Sequence, residues 1–274
     1  MKRILALVLL ITLWAAPAWA ENSAAKYHPG DVEAINNILR LIKKNNYNRL
    51  IITRWTIGRP ETWKAPEPGP SIDERLSMDR PSYGVSKNLF DWGIVWRNGR
   101  VVALQLNNTE LTDVVDLTGL TELEVLKLDN NRIIGLKGLD SLSRLTELDL
   151  SHNQIGDFGD LGGLKELRWL DLSDNQLTGL KGLNQLTNLR WLNLGYNQLT
   201  GLENLADLTQ LEGLNLSCNQ LTALADLDRL KNLRFLYLYY NRFTALDGYG
   251  ELKNLRVLDL SGNRLTRLEG LGQS

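Results

Sequence analysis

A polar marker residue recurs every 22 residues from position 109 to the end of the chain. The marker positions are Thr109, Asn131, Asn153, Asn175, Asn197, Asn219, Asn241 and Asn263. A fixed period of about 20 to 50 residues indicates structural units that stack on one another, each packing only against its neighbours. Such a solenoid presents an extended surface, so the repeat constrains how the protein recognises a ligand more than which ligand it recognises.

The residues within one unit indicate its local structure. Leu170 and Leu172 alternate with polar neighbours, which predicts a strand with one buried face. Later leucines follow at intervals of three, the period of a tight 3₁₀-like return. Asn175 lies at the corner between them, where its amide can bond main-chain groups of its own turn and of the adjacent unit. No proline follows Pro81, as a parallel ladder that uses every N–H requires.

This pattern resembles the leucine-rich repeat family, in particular the 22-residue class of bacterial internalin-like proteins. The resemblance covers residues 101–274 as eight units, the last incomplete. It implies an α/β-type solenoid shaped as a right-handed horseshoe, with a parallel sheet on the concave face and short 3₁₀ or irregular returns on the convex face. Phe158, Phe243 and Tyr249 replace leucine at inward positions and are predicted to lie in the core.

The first twenty residues have the pattern of a bacterial export signal. Lys2 and Arg3 precede an apolar run over 4–16, and Ala18 and Ala20 supply the small residues before an expected cleavage after Ala20. No other apolar run is long enough for a membrane segment. Cys218 is the only cysteine, so an internal disulfide is impossible. We therefore expect a periplasmic or secreted bacterial protein.

Charge gives no indication of nucleic-acid binding. The chain has 31 basic and 32 acidic residues, for a net charge of −1, without the clustered basic face that nucleic acid requires. The interspersed charges are best interpreted as a solvated surface.

Residues 21–100 are predicted to form an N-terminal cap region over the open apolar end of the first unit. Asp31 is expected to cap a helix with an apolar stripe, a short strand is expected over 50–53, and a proline-rich irregular loop over about 58–84. Trp92 and Trp96, before the Asn98-Gly99 turn, are similar to the helix-plus-tryptophan caps of plant and bacterial leucine-rich repeat proteins. Both tryptophans are expected in the core of the cap. The apolar stripe of the helix that Asp31 is expected to cap consists of Val32, Ile35, Ile38, Leu39 and Ile42.

The C-terminal end lacks an evident cap, because the last unit stops at Ser274, where its predecessors place a leucine. Three explanations stay open: an incomplete chain, a frayed final unit, or a partner or second copy that covers the exposed repeat. The last of these would make the protein self-associate through its terminal unit.

Outward-facing strand positions form columns along the concave face, and aromatic residues gather on the fourth, fifth and seventh units. Large aromatic side chains with little rotamer entropy are enriched in binding hot spots, and an exposed cluster usually marks an interaction site. Gly213 is expected to leave a notch within this row. The expected partner-binding aromatics are Trp169, Trp191, Tyr196, Phe235, Tyr237, Tyr239 and Tyr240, with Asp149, Asp171 and Asp174 beside them as solvated residues that could pair with a basic ligand group.

No catalytic, metal or cofactor site is predicted. His152 has only scattered aspartates around it, and Cys218 has no histidine in its own or an adjacent unit. The leading hypothesis is therefore a non-enzymatic protein–protein interaction module that binds a polypeptide through its concave face. The alternative is recognition of carbohydrate or cell-wall glycan by the same aromatic surface.

Overall fold

The computed structural model describes residues 28–44, 93–114, 117, 119–159, 161–224, 227–245 and 252–266. Helix α1 spans Pro29–Lys44, and two 3₁₀ helices span Leu139–Ser141 and Leu183–Gln185. The strands within these ranges are β1 (Ile94–Arg97), β2 (Arg100–Gln105), β3 (Val125–Lys127), β4 (Glu147–Asp149), β5 (Trp169–Asp171), β6 (Trp191–Asn193), β7 (Gly213–Asn215), β8 (Phe235–Tyr237) and β9 (Val257–Asp259).

All nine strands form one sheet in chain order, from β1 to β9. Strands β1 and β2 are an antiparallel hairpin, closed by Asn98 and Gly99 at φ of 50° and 75°. Each later strand pairs in parallel with the one before it, in a register that places equivalent residues of successive units side by side, such as Leu148 beside Leu170. The predicted leucine-rich-repeat solenoid, with its parallel sheet and short 3₁₀ or irregular returns, is confirmed.

The core is a continuous stack of the inward-facing side chains. Leu170, Leu172 and Leu177 of one unit are fully buried, as are their equivalents in neighbouring units. Phe158 and Phe243 are buried in the same stack, as predicted, and Tyr249 lies outside the described residues. Because each unit closes only against its neighbours, packing along the stack stabilises the fold.

The repeated asparagines join each unit to the next. Nδ2 of Asn175 donates to the carbonyl oxygens of Leu150 and Leu172 at 2.9 and 3.1 Å, and its Oδ1 accepts from the N–H of Ile155 at 3.0 Å. Asn153 donates to the same Leu150 oxygen at 3.0 Å, so each of these carbonyls serves two units. The predicted corner role of the asparagines is confirmed.

Helix α1 covers the first unit, as expected of a cap, and contributes Ala34, Ile35 and Ile38 to the core. The expectation that Asp31 caps the helix is wrong, because α1 begins at Pro29 and the Asp31 carboxylate turns toward β2. There it accepts from the backbone N–H of Val101 at 2.6 Å and from Nε of Arg100 at 3.1 Å. This buried carboxylate fastens the helix to the sheet.

Several predictions about the N-terminal region fall outside the described residues. These are the export signal over 1–20, the strand over 50–53, the loop over 58–84, and the side chains of Leu39, Ile42, Trp92 and Trp96. The residues after 266, where the open terminal repeat was expected, also fall outside them. These expectations stay predictions.

Candidate functional site

The outward-facing residues of β2–β9 form the concave face. One column along it consists of Ala103 of β2 and the first residue of each strand from β3 to β9. The register places Trp169, Trp191, Gly213 and Phe235 side by side in this column. Trp169 and Phe235 are only 6% and 4% exposed, so the expectation that every aromatic of the row is open to solvent is wrong for these two. Neither belongs to the leucine core; both are covered on the concave face itself.

Long basic side chains provide this cover. Nζ of Lys127, from β3, lies 4.3 Å from the ring centroid of Trp169 and 3.7 Å from a carboxylate oxygen of Asp149. The guanidinium of Arg234 lies 5.5 Å from the ring centroid of Phe235. A cation over an aromatic face gains from the ring quadrupole, and the aliphatic stem shields the ring from water.

The notch expected at Gly213 is filled. The indole of Trp191 lies across this glycine, where an added Cβ would overlap Cε3 and Cζ3 of the ring. The glycine therefore serves as a platform for a half-buried tryptophan, and the expected cavity does not form. Trp191 remains partly available on the concave face.

Two of the three expected aspartates are buried, which corrects the expectation that they are solvated. Oδ1 of Asp149 accepts from the N–H and Oγ of Ser151 at 3.1 and 2.7 Å. Oδ1 of Asp171 bonds Ser173 in the same way at 2.8 and 2.6 Å. These carboxylates close the turn at the strand end, as Asx turns do. Asp174 remains partly exposed, with a carboxylate oxygen 3.5 Å from Nδ1 of His152.

The exposed aromatics lie at the carboxyl ends of the strands. We call Tyr196, Cys218, Tyr239 and Tyr240 the tyrosine rim. Tyr196 is 47% exposed and Tyr240 is 66% exposed, while Tyr239 and Cys218 are half-buried. The rim borders the half-buried Tyr237 of β8, so the open aromatic surface of units five to seven lies along this edge.

Three of the four rim residues occupy a backbone position that is left-handed in every unit. Its members are Asn108, Asn130, His152, Asp174, Tyr196, Cys218, Tyr240 and Gly262, with φ between 52° and 68°. Glycine, asparagine and aspartate adopt this conformation readily, whereas bulkier residues are strained in it. Tyrosine at this position therefore opposes folding.

Main-chain bonds hold the strained positions rigidly. The N–H groups of Tyr196, Cys218 and Tyr240 donate to carbonyl oxygens of the following unit at 2.9, 2.8 and 2.9 Å. Successive side chains consequently stand about one strand spacing apart, ~4.8 Å. The backbone of the rim is thus held as a regular row.

The rim side chains also bond one another. Hydrogen bonds with Cys218 and Tyr239 raise the pKa of the Tyr196 hydroxyl, so this phenol stays neutral. The rings of Tyr239 and Tyr240 meet edge to face, with centroids 5.9 Å apart. Burial, with a further contribution from the charge of Asp259, raises the pKa of Tyr237. The raised pKa values keep the hydroxyls of Tyr196 and Tyr237 neutral over the physiological pH range.

Burial raises the pKa of the Cys218 thiol above its ordinary value. The thiolate is the nucleophilic form, so this cysteine reacts slowly at neutral pH. Its position beside the Tyr196 hydroxyl fits a packing and hydrogen-bonding role within the rim.

Within the described residues, no three His, Cys, Asp or Glu side chains converge as metal ligands would. Among the same residues, no helix has the length and apolar character needed to cross a bilayer.

The family model for leucine-rich repeats in two copies matches residues 121–165, 187–229 and 231–273, and a further leucine-rich-repeat model matches 157–199. Together they span more than half of the chain, which belongs to the leucine-rich repeat family. This fold is typical of protein-interaction modules.

Solved bacterial structures are similar to the chain. An internalin from Listeria monocytogenes has 27% sequence identity and a TM-score of 0.57, and the match covers 60% of this chain and 48% of that one. A leucine-rich repeat protein from Leptospira interrogans has 36% identity and a TM-score of 0.58, with 60% and 44% covered. The chain thus spans about half the length of these relatives. The comparison with curated proteins gave no match.

Proposed function

We propose that this protein is a non-enzymatic interaction module that binds a polypeptide partner through the tyrosine rim and the adjoining concave face of units five to seven. The observation that carries the proposal is the presence of Tyr196 and Tyr240, both exposed, at left-handed backbone positions. Strained, exposed aromatics do not stabilise the fold, and strain of this kind clusters at functional sites.

The chemistry of the rim suits a protein ligand. Tyrosine supplies a large contact area with an apolar body and a polar tip, and it is enriched in binding hot spots. Trp191, Tyr237 and Tyr239 extend the surface as half-buried neighbours. Trp169 and Phe235 take a supporting role beneath Lys127 and Arg234, and Asp149 and Asp171 shape the turns.

Carbohydrate recognition is the alternative. Exposed tryptophan and tyrosine rings can stack on sugar faces, while aspartate and asparagine side chains bond hydroxyl groups. Trp169 is covered, and the Asp149 and Asp171 carboxylates already bond Ser151 and Ser173, so the groups that favoured a sugar are largely occupied. The exposed tyrosines could serve either ligand, and we favour a polypeptide because tyrosine is enriched in protein binding hot spots.

We further infer that the protein acts outside the cytoplasm, as a periplasmic or secreted protein. Support comes from the basic start at Lys2 and Arg3, the apolar run over 4–16 and the small residues before position 21. Mass spectrometry of the protein from periplasm and medium should find a chain that begins at Glu21. A chain that retains the first twenty residues in the cytoplasm would contradict this inference.

Affinity capture with matched variants tests the binding surface. The test variant is Tyr196→Asn/Tyr240→Asn, because Asn108 and Asn130 already occupy the same backbone position at φ of 56°. The control is His152→Asn, an equivalent substitution two units before Tyr196. Immobilised protein is incubated with periplasmic and surface extracts, and bound proteins are identified by mass spectrometry.

The proposal requires a protein that wild type and the control capture and the double variant does not. Equal capture by all three would assign the binding to another surface. Retention of oligosaccharides on a glycan array, lost in the double variant, with no captured protein, would favour the carbohydrate alternative.

A further inference from the structure

A second feature of the sheet lies at the opposite edge from the tyrosine rim. The residues immediately before the strands β5–β9 are Arg168, Arg190, Glu212, Arg234 and Arg256. The backbone ladder continues through them, since the N–H of each donates to the carbonyl oxygen of the one before at 2.7 to 2.9 Å. Four arginines and one glutamate are therefore held at successive strand spacings along one edge.

Part of this row lines a surface groove of about 330 Å³. We call it the arginine groove; its lining residues are Arg190, Gln210, Glu212, Asn232, Arg234, Asn254 and Arg256. The side-chain amides of Asn232 and Asn254 donate to the backbone oxygens of Thr209 and Lys231 at 2.8 and 2.7 Å. These bonds hold two side chains of the groove wall in place.

The charge in the groove is incompletely balanced. Oε1 of Glu212 lies 3.2 Å from Arg190, and its Oε2 lies 3.6 Å from Arg234. Among the described residues, no carboxylate lies within 4.0 Å of the Arg256 guanidinium. Among the lining residues that the structure describes, one carboxylate therefore faces three guanidinium groups, an excess of positive charge at an accessible surface.

We propose that the arginine groove binds a short acidic segment of the polypeptide partner, an inference that rests on the proposed function. Guanidinium groups match carboxylates through paired, charge-assisted hydrogen bonds. The groove and the tyrosine rim lie six residues apart along each unit, which is at most ~20 Å because only three of these residues rise as a strand. One extended ligand can therefore place acidic side chains in the groove and apolar ones on the rim.

The shortness of the basic row favours a peptide over a long polyanion. Glu212 interrupts the row, and Glu124 and Thr146 occupy the equivalent positions in the earlier units. A sulfated polysaccharide or a nucleic acid would need basic charge over a longer path. Three arginines around one glutamate instead suit a ligand with a few carboxylates.

The test uses a fluorescein-labelled peptide in which consecutive glutamates are flanked by glycine and serine, with binding measured by fluorescence anisotropy at low ionic strength. Arg234→Gln and Arg256→Gln should each weaken binding by about three- to fivefold, as expected for exposed ion pairs. Arg242→Gln is the matched control, since it removes one exposed positive charge at the other edge of the unit that contains Arg234. Circular dichroism confirms that the variants fold.

Glu212→Gln is the most informative variant, because it removes the internal competitor for Arg190 and Arg234. If the arginine groove binds acidic segments, this variant should bind the acidic peptide more tightly than wild type. Unchanged or weaker binding would overturn it, as would an Arg242→Gln variant that loses as much affinity as Arg256→Gln. Tighter binding of a sulfated hexasaccharide than of the peptide would also overturn it, in favour of a polysaccharide ligand.

Separate results would contradict the proposed binding at the tyrosine rim and the proposed binding at the arginine groove. The groove account requires Tyr196→Asn/Tyr240→Asn to bind the acidic peptide as wild type does. If the peptide fails to bind while partner capture still depends on the tyrosines, the groove inference is wrong and the proposed function stands.

Discussion

Replacement of Asn175 by alanine perturbs one rung of the asparagine ladder in the middle of the stack. The variant loses the Nδ2 bonds to the carbonyl oxygens of Leu150, Leu172 and Ser173. These oxygens keep other donors: Asn153 at 3.0 Å, Asn197 at 2.9 Å and the N–H of His152 at 2.9 Å. The N–H of Ile155 is different, because its bond at 3.0 Å is to the Asn175 oxygen.

The expected change in the free energy of unfolding depends on which groups keep a hydrogen-bond partner in the variant. A buried donor left without an acceptor costs about 1–3 kcal/mol, and each lost bond with a remaining partner costs about 0.5–1.5 kcal/mol. With one unpaired donor and three such bonds, the expected loss of stability is about 2.5 to 7.5 kcal/mol, a large fraction of the stability of an ordinary domain.

Urea unfolding followed by circular dichroism measures the effect. Asn188→Ala is the control, because this exposed asparagine makes one bond, to the oxygen of Lys165 at 2.7 Å, and its loss should change stability by less than ~1 kcal/mol. If Asn175→Ala unfolds at the same urea concentration as the control, the ladder does not stabilise the stack as argued.

Further predictions concern other positions on the concave face. Gly213→Ala should cost about 1–3 kcal/mol in urea unfolding, because its Cβ displaces the Trp191 indole; an unchanged midpoint would show that the ring moves freely. Asp129→Asn should raise the urea midpoint at pH 7 and leave it unchanged at pH 3. Burial, and then the charge of Asp149, raise the pKa of Asp129 in the folded state above its ordinary value of 3.8. Ionisation of Asp129 therefore opposes folding as the pH rises from the unfolded-state pKa through the folded-state pKa. A midpoint that falls at pH 7 would refute this sign. Tyr240→Asn should keep stability within about 1 kcal/mol, because relief of the left-handed backbone offsets the lost ring contact; a larger loss in the same assay would contradict the assigned strain.

The sequence predicts the solenoid well because the repeat constrains every unit in the same way. Leu170 and Leu172 face inward because strand alternation buries the same two positions in every unit. Asn175 bonds neighbouring units because every marker residue occupies the same corner. Register and core follow from this periodicity without knowledge of any single contact.

The site is less predictable, because its details depend on pairs of residues in different units. Strand alternation correctly places Trp169 outside the leucine core, but its burial depends on Lys127, two units earlier. The filled notch likewise depends on which way the Trp191 ring turns over Gly213. Periodicity specifies which face a side chain occupies and leaves open what its neighbours do there.

One missed feature was available in the sequence. The position before each marker is asparagine, aspartate or glycine in Asn108, Asn130, Asp174 and Gly262, the residue types that tolerate positive φ. This composition indicates a left-handed position in every unit. The tyrosines at that position therefore depart from a backbone preference as well as adding aromatic surface.

The central claim is that the protein keeps strained tyrosines because they bind a partner, and the affinity of the captured partner for Tyr196→Asn/Tyr240→Asn tests it most directly. Isothermal titration should show a loss of about 30-fold or more, as removal of a hot-spot residue gives, while the urea midpoint stays at or above that of wild type. Full affinity in the double variant would contradict the claim, because the exposed rings would then have no part in recognition.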